Sequence, residues 1–165
     1  MKSRNNNICL IMEIVSCKAR EEIEQYMDSY IEQLKKIEDK PTIKARISEA
    51  ETIKNNAGGM LLGNMIVLVA KESEYIYGGL MSTKQSKEVL NIDHITAYNG
   101  NGASLMYNII NIAEETGMKK ITLVAAGEGN TFHSKVKSFE ALVKFYSKFG
   151  FVQTAPPSGY MELQL

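Results

Sequence analysis

"AYNGNGASLMYNI", residues 97–109, places Gly100 and Gly102 where one hydrophobic period gives way to another. Upstream, "EVLNIDHITA" is rich in β-branched and apolar residues and short enough for a single strand. Downstream, Leu105, Met106, Ile109, Ile110, Ile112 and Ala113 recur at helical spacing. The glycines therefore fall in a strand-to-helix turn. A helix that starts there offers unpaired N–H groups and the positive end of its dipole, which makes the turn a candidate anion site, above all for a phosphate. A tight turn that merely admits a helix would account for the same two glycines.

Working outward, "ICLIMEIV" at residues 8–15 reads as a strand. From Ala19 to about Asp39, Ile23, Tyr26, Met27, Tyr30, Ile31, Leu34 and Ile37 mark one helical stripe, which Pro41 is expected to stop. The stripe is most simply a face packed on a sheet, although a partner-binding helix has the same period. "PTIKARISEAETIKNN" is a weaker helical segment, and "NNAGGMLLGN" reads as a loop. "MIVLVAK" and "EYIYGGLMS", separated by a polar turn around Glu72 and Ser73, predict an antiparallel hairpin. After the strand at 88–96 and the glycine turn, the next helix ends near Gly117. "KKITLVAA" is another strand, "GEGNTFHSK" a polar loop, and Val136 to Lys148 a helix with Phe139, Leu142, Val143 and Tyr146 on one stripe. The tail supplies two strands around Pro156-Pro157. The order β-α-α-β-β-β-α-β-α-β-β predicts a mixed α/β chain with helices covering a largely antiparallel sheet, in one domain over residues 1–165.

Nineteen basic and nineteen acidic side chains cancel, so nothing in the charge favours a nucleic-acid partner. No run of ~18 apolar residues supports a transmembrane helix. Glu13 interrupts the apolar N-terminal run, which reads better as a buried strand than as a signal peptide. Cys9 and Cys17 form no C-x-x-C or Cys/His cluster and read as reduced core thiols, with the cytoplasm as the expected compartment. No metal site is expected, because no His, Cys and carboxylate cluster has ligand spacing.

The turn lacks the G-x-x-x-x-G-K-[ST] spacing of a nucleoside-triphosphate loop, and no carboxylate follows ~20 residues on as a dinucleotide site would need. A second constellation bears on it. "NIDHITAYNGNGASLMYNIINIAEETGMKKITLVAA", followed by "SFEALVKFYSKFGF", resembles the GNAT superfamily of acetyl-CoA-dependent N-acetyltransferases. In that family a fourth strand leads into a turn of the form [QR]-x-x-G-x-[GA], then a helix with paired aliphatics, a fifth strand, and a helix bearing "A-x-x-F-Y-x-x-x-G-F". Gly100 and Gly102 match the glycine positions, Leu105 and Met106 the aliphatic pair, and Ala141, Phe145, Tyr146, Gly150 and Phe151 the late motif. The resemblance runs from about residue 66 to residue 151; before that it rests on element order. Ala97 stands where the family has Gln or Arg, Ser138 where it often has Asn, and the proline usual near the end of the fourth strand is absent.

The resemblance implies a mostly antiparallel sheet of about seven strands flanked by about four helices, and transfer of the acetyl group of acetyl-CoA to a primary amine by direct attack in a ternary complex. Backbone groups from Asn99, Gly100, Asn101, Gly102, Ala103 and Ser104 would hold the diphosphate, and the strand at Ile92 and Ile95 would hold the pantetheine arm. Tyr146 would be the general acid; a core aromatic on the same stripe is the competing reading. For the base, Asp93 is the first choice among Glu88, Asp93 and His94, which lie on or beside the fourth strand, and strict alternation sends Asp93 and His94 to opposite faces. His133 lies in the polar loop. The acceptor amine is not readable, and a homodimer is open. The competing class is a module that binds acetyl-CoA without turnover or engages a protein partner.

Overall fold

The computed structural model describes residues 12–37, 40–98, 100–125 and 139–165. Cys9, the first part of the strand expected at 8–15, Asn99, His133, Ser138 and the start of the helix expected at Val136 lie outside the described residues.

Among the described residues the element order matches the one read from the sequence. Strand β1 (Glu13–Ser16) is followed by helices α1 (Arg20–Lys35) and α2 (Lys40–Asn56), then by a short 3-10 segment at Ala57–Leu62. Strands β2 (Met65–Glu72), β3 (Tyr75–Lys84) and β4 (Val89–Ala97) precede α3 (Gly102–Glu115). Then come β5 (Lys120–Val124), α4 (Phe139–Ser147), β6 (Val152–Gln153) and β7 (Tyr160–Gln164). The strands form one seven-stranded sheet in the order β1-β2-β3-β4-β5-β7-β6. Every neighbouring pair is antiparallel except β4 and β5.

Helices cover both faces because the strands are apolar on both. On β2, Val67 and Val69 face one way into a cluster with Ile23, Met27, Tyr30 and Leu34 of α1 and Ile43, Ala50 and Ile53 of α2. Leu68 and Ala70 face the other way, into a cluster with Leu105, Met106 and Ile109 of α3 and Leu142 and Tyr146 of α4. The α1 stripe is thus a core face. Cys17 is buried, and burial pushes its thiol up to about 12, which leaves it protonated and unreactive. No helix among the described residues is long and apolar enough to cross a membrane.

Two expectations change. Pro41 does not stop α1, which ends at Lys35 with Lys36 as its C-cap; it sits in the first turn of α2. Proline is tolerated there because that N–H has no intrahelical partner to lose. The second change is in β4. Met81 pairs with His94 but Ser82 pairs with Ile92, so Asp93 is an extra residue, a β-bulge. Alternation is broken at that point, and Asp93 and His94 share the α1–α2 face: Asp93 meets Thr83 and Asn91 while His94 meets Glu49 of α2.

Candidate active site

The parallel ladder between β4 and β5 has four rungs, from Val89↔Lys120 to Ile92↔Leu123. Strand β4 continues to Ala97 without β5. Beyond Ile92, β4 has no strand partner on its β5 side among the described residues, which leaves a gap in the ladder.

What faces that gap follows from ladder parity. In an antiparallel pair, successive residues turn their N–H and C=O alternately toward the partner strand and away. Tyr98 N donates to Tyr77 O at 2.8 Å, so Tyr98, Thr96 and His94 turn toward β3, whereas Ala97 and Ile95 turn to the open side. Ile92 is the last residue of β4 paired with β5, and Ile95 presents its backbone to the gap. The Ala97 carbonyl accepts a hydrogen bond from Arg46 Nε of α2 at 2.7 Å.

The edge of β4 runs directly into the glycine turn. Gly100 has φ +75°, the left-handed region that a side chain would strain. Gly102 has no such φ: a Cβ there would meet Phe145 Cζ at 3.5 Å, Ala97 Cβ at 3.7 Å and Ile95 Cδ1 at 3.9 Å, which are ordinary contacts. Of the two glycines expected in the turn, Gly100 is the one that its backbone demands. Asn101 has helical φ and ψ, and its side chain donates to Tyr98 O at 2.6 Å instead of capping α3. The first-turn amides of α3, at Gly102, Ala103 and Ser104, have no intrahelical acceptor by helix geometry, and the dipole adds its positive end.

Tyr146 lies on α4 beside Phe145, whose ring is near Gly102. It is 6% exposed, packs at its edge on Phe145 and Phe151, and no described residue hydrogen-bonds its hydroxyl. Burial above all, with the nearby charge of Glu49, pushes that hydroxyl up to about 12.

From the α2 side, Glu49 Oε2 and His94 Nδ1 are 2.8 Å apart, with side chains 12% and 28% exposed. The hydrogen bond to Glu49 is the main reason that His94 is held above its ordinary value, partial burial opposing it. Arg46 lies over the Tyr98 ring, 5.7 Å from its centroid, and Tyr30 and Thr96 share a buried hydrogen bond of 3.1 Å. Asp93 accepts hydrogen bonds from Thr83 Oγ1 at 2.5 Å and Asn91 Nδ2 at 2.8 Å and stays exposed. Glu88 precedes the paired half of β4, its carbonyl accepting from Lys119 N and Lys120 N. The structure thus brings Ile95, Ala97 and Gly102 together beside Phe145, the neighbour of Tyr146, with Gly100 in the same turn, and leaves Glu88 away from them. Sequence reasoning missed Glu49 and Arg46, whose only signal is their spacing of three on a weakly amphipathic helix.

Comparison with solved structures gives the same architecture. The PaiA N-acetyltransferase of Thermoplasma acidophilum, in complex with coenzyme A, superposes with a TM-score of 0.60 at 17% identity, covering 94% of this chain and 99% of that one. A GNAT-family acetyltransferase from Staphylococcus aureus Mu50 gives 0.62 at 14% identity, covering 94% and 99%. A GNAT-family acetyltransferase from Elizabethkingia anophelis with acetyl-CoA bound gives 0.50 at 18% identity, covering 64% and 80%. At these identities the likeness is one of fold. No curated protein matches the chain by sequence. The family described as ERG2 and Sigma1 receptor like protein matches residues 4–87, just over half of the 165 residues. That match stops before β4, so it includes neither the glycine turn, nor α3, nor Tyr146. By sequence match the first half of the chain belongs to the ERG2 and Sigma1 receptor like family, whereas the fold that carries the site, from β1 to β7, is the GNAT fold.

Proposed function

We propose that the chain is a single-domain, acetyl-CoA-dependent N-acetyltransferase acting on a primary amine. The observation that carries this reading is the continuous backbone track: the open edge of β4 at Ile95 and Ala97 leads into the turn at Gly100 and on to the first-turn amides of α3. An extended amide-bearing arm ending in a diphosphate fits such a track, since the edge offers strand-like hydrogen bonds and the helix start favours an anion. Ile92 and Ile95 would hold the arm, and Asn99, Gly100, Asn101, Gly102, Ala103 and Ser104 the diphosphate. Acetyl-CoA supplies an activated thioester; the chain's part is to hold it beside the amine and to manage charge at sulfur and nitrogen.

Tyr146 is the group for the sulfur. With its hydroxyl near 12 it stays protonated at every working pH. It also lies above an aliphatic thiol of pKa ~8.5, so it stabilises the departing thiolate by donating a hydrogen bond rather than by handing over its proton. Asp93 has both carboxylate oxygens engaged, by Thr83 and Asn91, and contributes negative charge near the acceptor more readily than it serves as a free base.

The test is thiol release from acetyl-CoA across a panel of amines, peptides and proteins, alongside thermal shifts with CoA. Release that requires an acceptor is expected, with a stabilisation of ~2.7 kcal/mol at one hundred times the dissociation constant. No thermal shift at millimolar CoA overturns the cofactor assignment. Stabilisation without release from any acceptor assigns the chain instead to the non-catalytic binding class.

A further inference from the structure

The acetyltransferase reading gives no task to the α2 side of the gap, and the inference that follows rests on that reading. We propose that His94 takes up, at Nε2, the proton that the acceptor amine loses, and that Glu49 is the positioning residue that makes Nε2 the accepting nitrogen.

Position comes first. His94 directly follows the bulge, where β4 has lost β5, and it is next to Ile95, whose backbone lines the gap. The bulge turns His94 toward α2, where a strictly alternating strand could not place both it and Asp93. Its side chain is reachable, being 28% exposed.

Tautomer comes next. A carboxylate can only accept, so the 2.8 Å contact to Glu49 fixes the hydrogen on Nδ1. The lone pair of the neutral ring is then on Nε2, which no described residue engages. A base held in one tautomer by a carboxylate behind it is a general solution to proton removal from a nucleophile. Tyr146, the sulfur-side donor of the proposed reaction, packs in the cluster on the opposite face of the sheet from α2.

The step balances. The amine nitrogen forms a bond to the acetyl carbon, the carbon–sulfur bond breaks, and the sulfur keeps the electron pair under the hydrogen bond from Tyr146. The proton released from nitrogen goes to Nε2 and from there to water. The charged groups that act on the ring are Glu49 from α2 and Asp93 from β4; β3 presents Met81 opposite. Because the hydrogen bond to Glu49 favours the imidazolium, the base form prevails only above the ordinary histidine range, so the rate should climb with pH through that raised value.

The experiment uses the whole chain as wild type, Glu49→Gln and His94→Gln, with acetyl-CoA and whichever amine releases thiol fastest. His94→Gln should lower kcat by about 100-fold and leave the KM for acetyl-CoA unchanged. Glu49→Gln should move the rising limb of the pH–rate profile to lower pH. The same shift should appear in an NMR titration of the His94 ring without substrate, one of only two histidines in the chain. A wild type that turns over while His94→Gln keeps its kcat and pH profile overturns the proposal and leaves the acetyltransferase reading standing. A wild-type ring that titrates at the ordinary histidine value overturns it without any variant. If no amine yields thiol from the wild type, the acetyltransferase reading falls and this proposal with it.

Discussion

The two halves of β4 are held by different means. From Val89 to Ile92 the strand is paired on both sides, and Leu90 and Ile92 are buried among Leu105, Ile121 and Leu123. From Asp93 to Ala97 its only strand partner among the described residues is β3, and α1 and α2 fasten it through His94 to Glu49, Thr96 to Tyr30 and Arg46, and the Ala97 carbonyl to Arg46. Where a strand loses its neighbour, backbone groups need other partners, because leaving them buried and unpaired costs as much as a lost hydrogen bond. The polar side chains of the candidate site gather at that interruption. One half of the strand builds the core, and the other half keeps one edge without a strand partner among the described residues.

The comparison breaks most visibly by truncation. Leu90→Ala, in the paired half, should cost about 2–5 kcal/mol in urea denaturation, since it removes a fully buried side chain from a close-packed cluster. Thr96→Val, in the open half, should cost only about 1 kcal/mol, for the hydrogen bond it removes from the Tyr30 hydroxyl. Equal losses would mean that both halves are core and that the gap has no separate character. Next in size is Tyr146→Phe, expected to lower kcat about 100-fold with the midpoint of thermal unfolding nearly unchanged, because the ring remains against Phe145 and Phe151. Unchanged turnover would leave Tyr146 a core aromatic alone.

The same division decides what could be read from the sequence. The paired half, the α1 stripe and the hairpin around Ser73 are periodic over several residues, and period is what burial leaves in a sequence. The element order was legible for that reason. The bulge at Asp93 was not, since one inserted residue inside "NIDHITA" leaves the apolar residues close enough to alternation to hide it. Pro41 reads as a stop in the sequence because a helix break and a helix start both favour proline, and only the register of α2 separates them. Glu49 and His94 meet across 45 positions of chain, a contact that exists only once α2 has packed on β4. Gly100 and Gly102 were legible as a pair, but φ alone tells which of them is obligatory.

That distinction is testable at a smaller scale. Gly100→Ala should cost roughly 1–2 kcal/mol, the penalty for a Cβ in left-handed backbone. Gly102→Ala should stay within about 0.5 kcal/mol, as its Cβ meets only ordinary contacts and alanine suits a helix better than glycine does. CoA-induced thermal shifts of the two folded variants would then show whether the turn's conformation or its open space matters more to the ligand. A Gly102→Ala variant as unstable as Gly100→Ala would mean that the turn demands glycine at both positions.

The smallest expected effect concerns the fastening of the open half, and its sign is fixed by linkage. His94 is held above its ordinary value of 6.5, chiefly by the hydrogen bond to Glu49, so folding favours the protonated ring. A group whose value is raised on folding contributes stability fully below its unfolded value, and that contribution fades as pH rises through the folded one. Wild type should therefore exceed His94→Gln in thermal midpoint by most at about pH 5.5, where ordinary carboxylates are still ionised, and by least at about pH 9. A control in the paired half, Leu90→Ala, should show a deficit that does not vary between the two pH values, because no titrating group is removed. If the deficit of His94→Gln is likewise flat, or grows with pH, the ring is not charged in its contact with Glu49, and the open half is fastened by neutral hydrogen bonds alone.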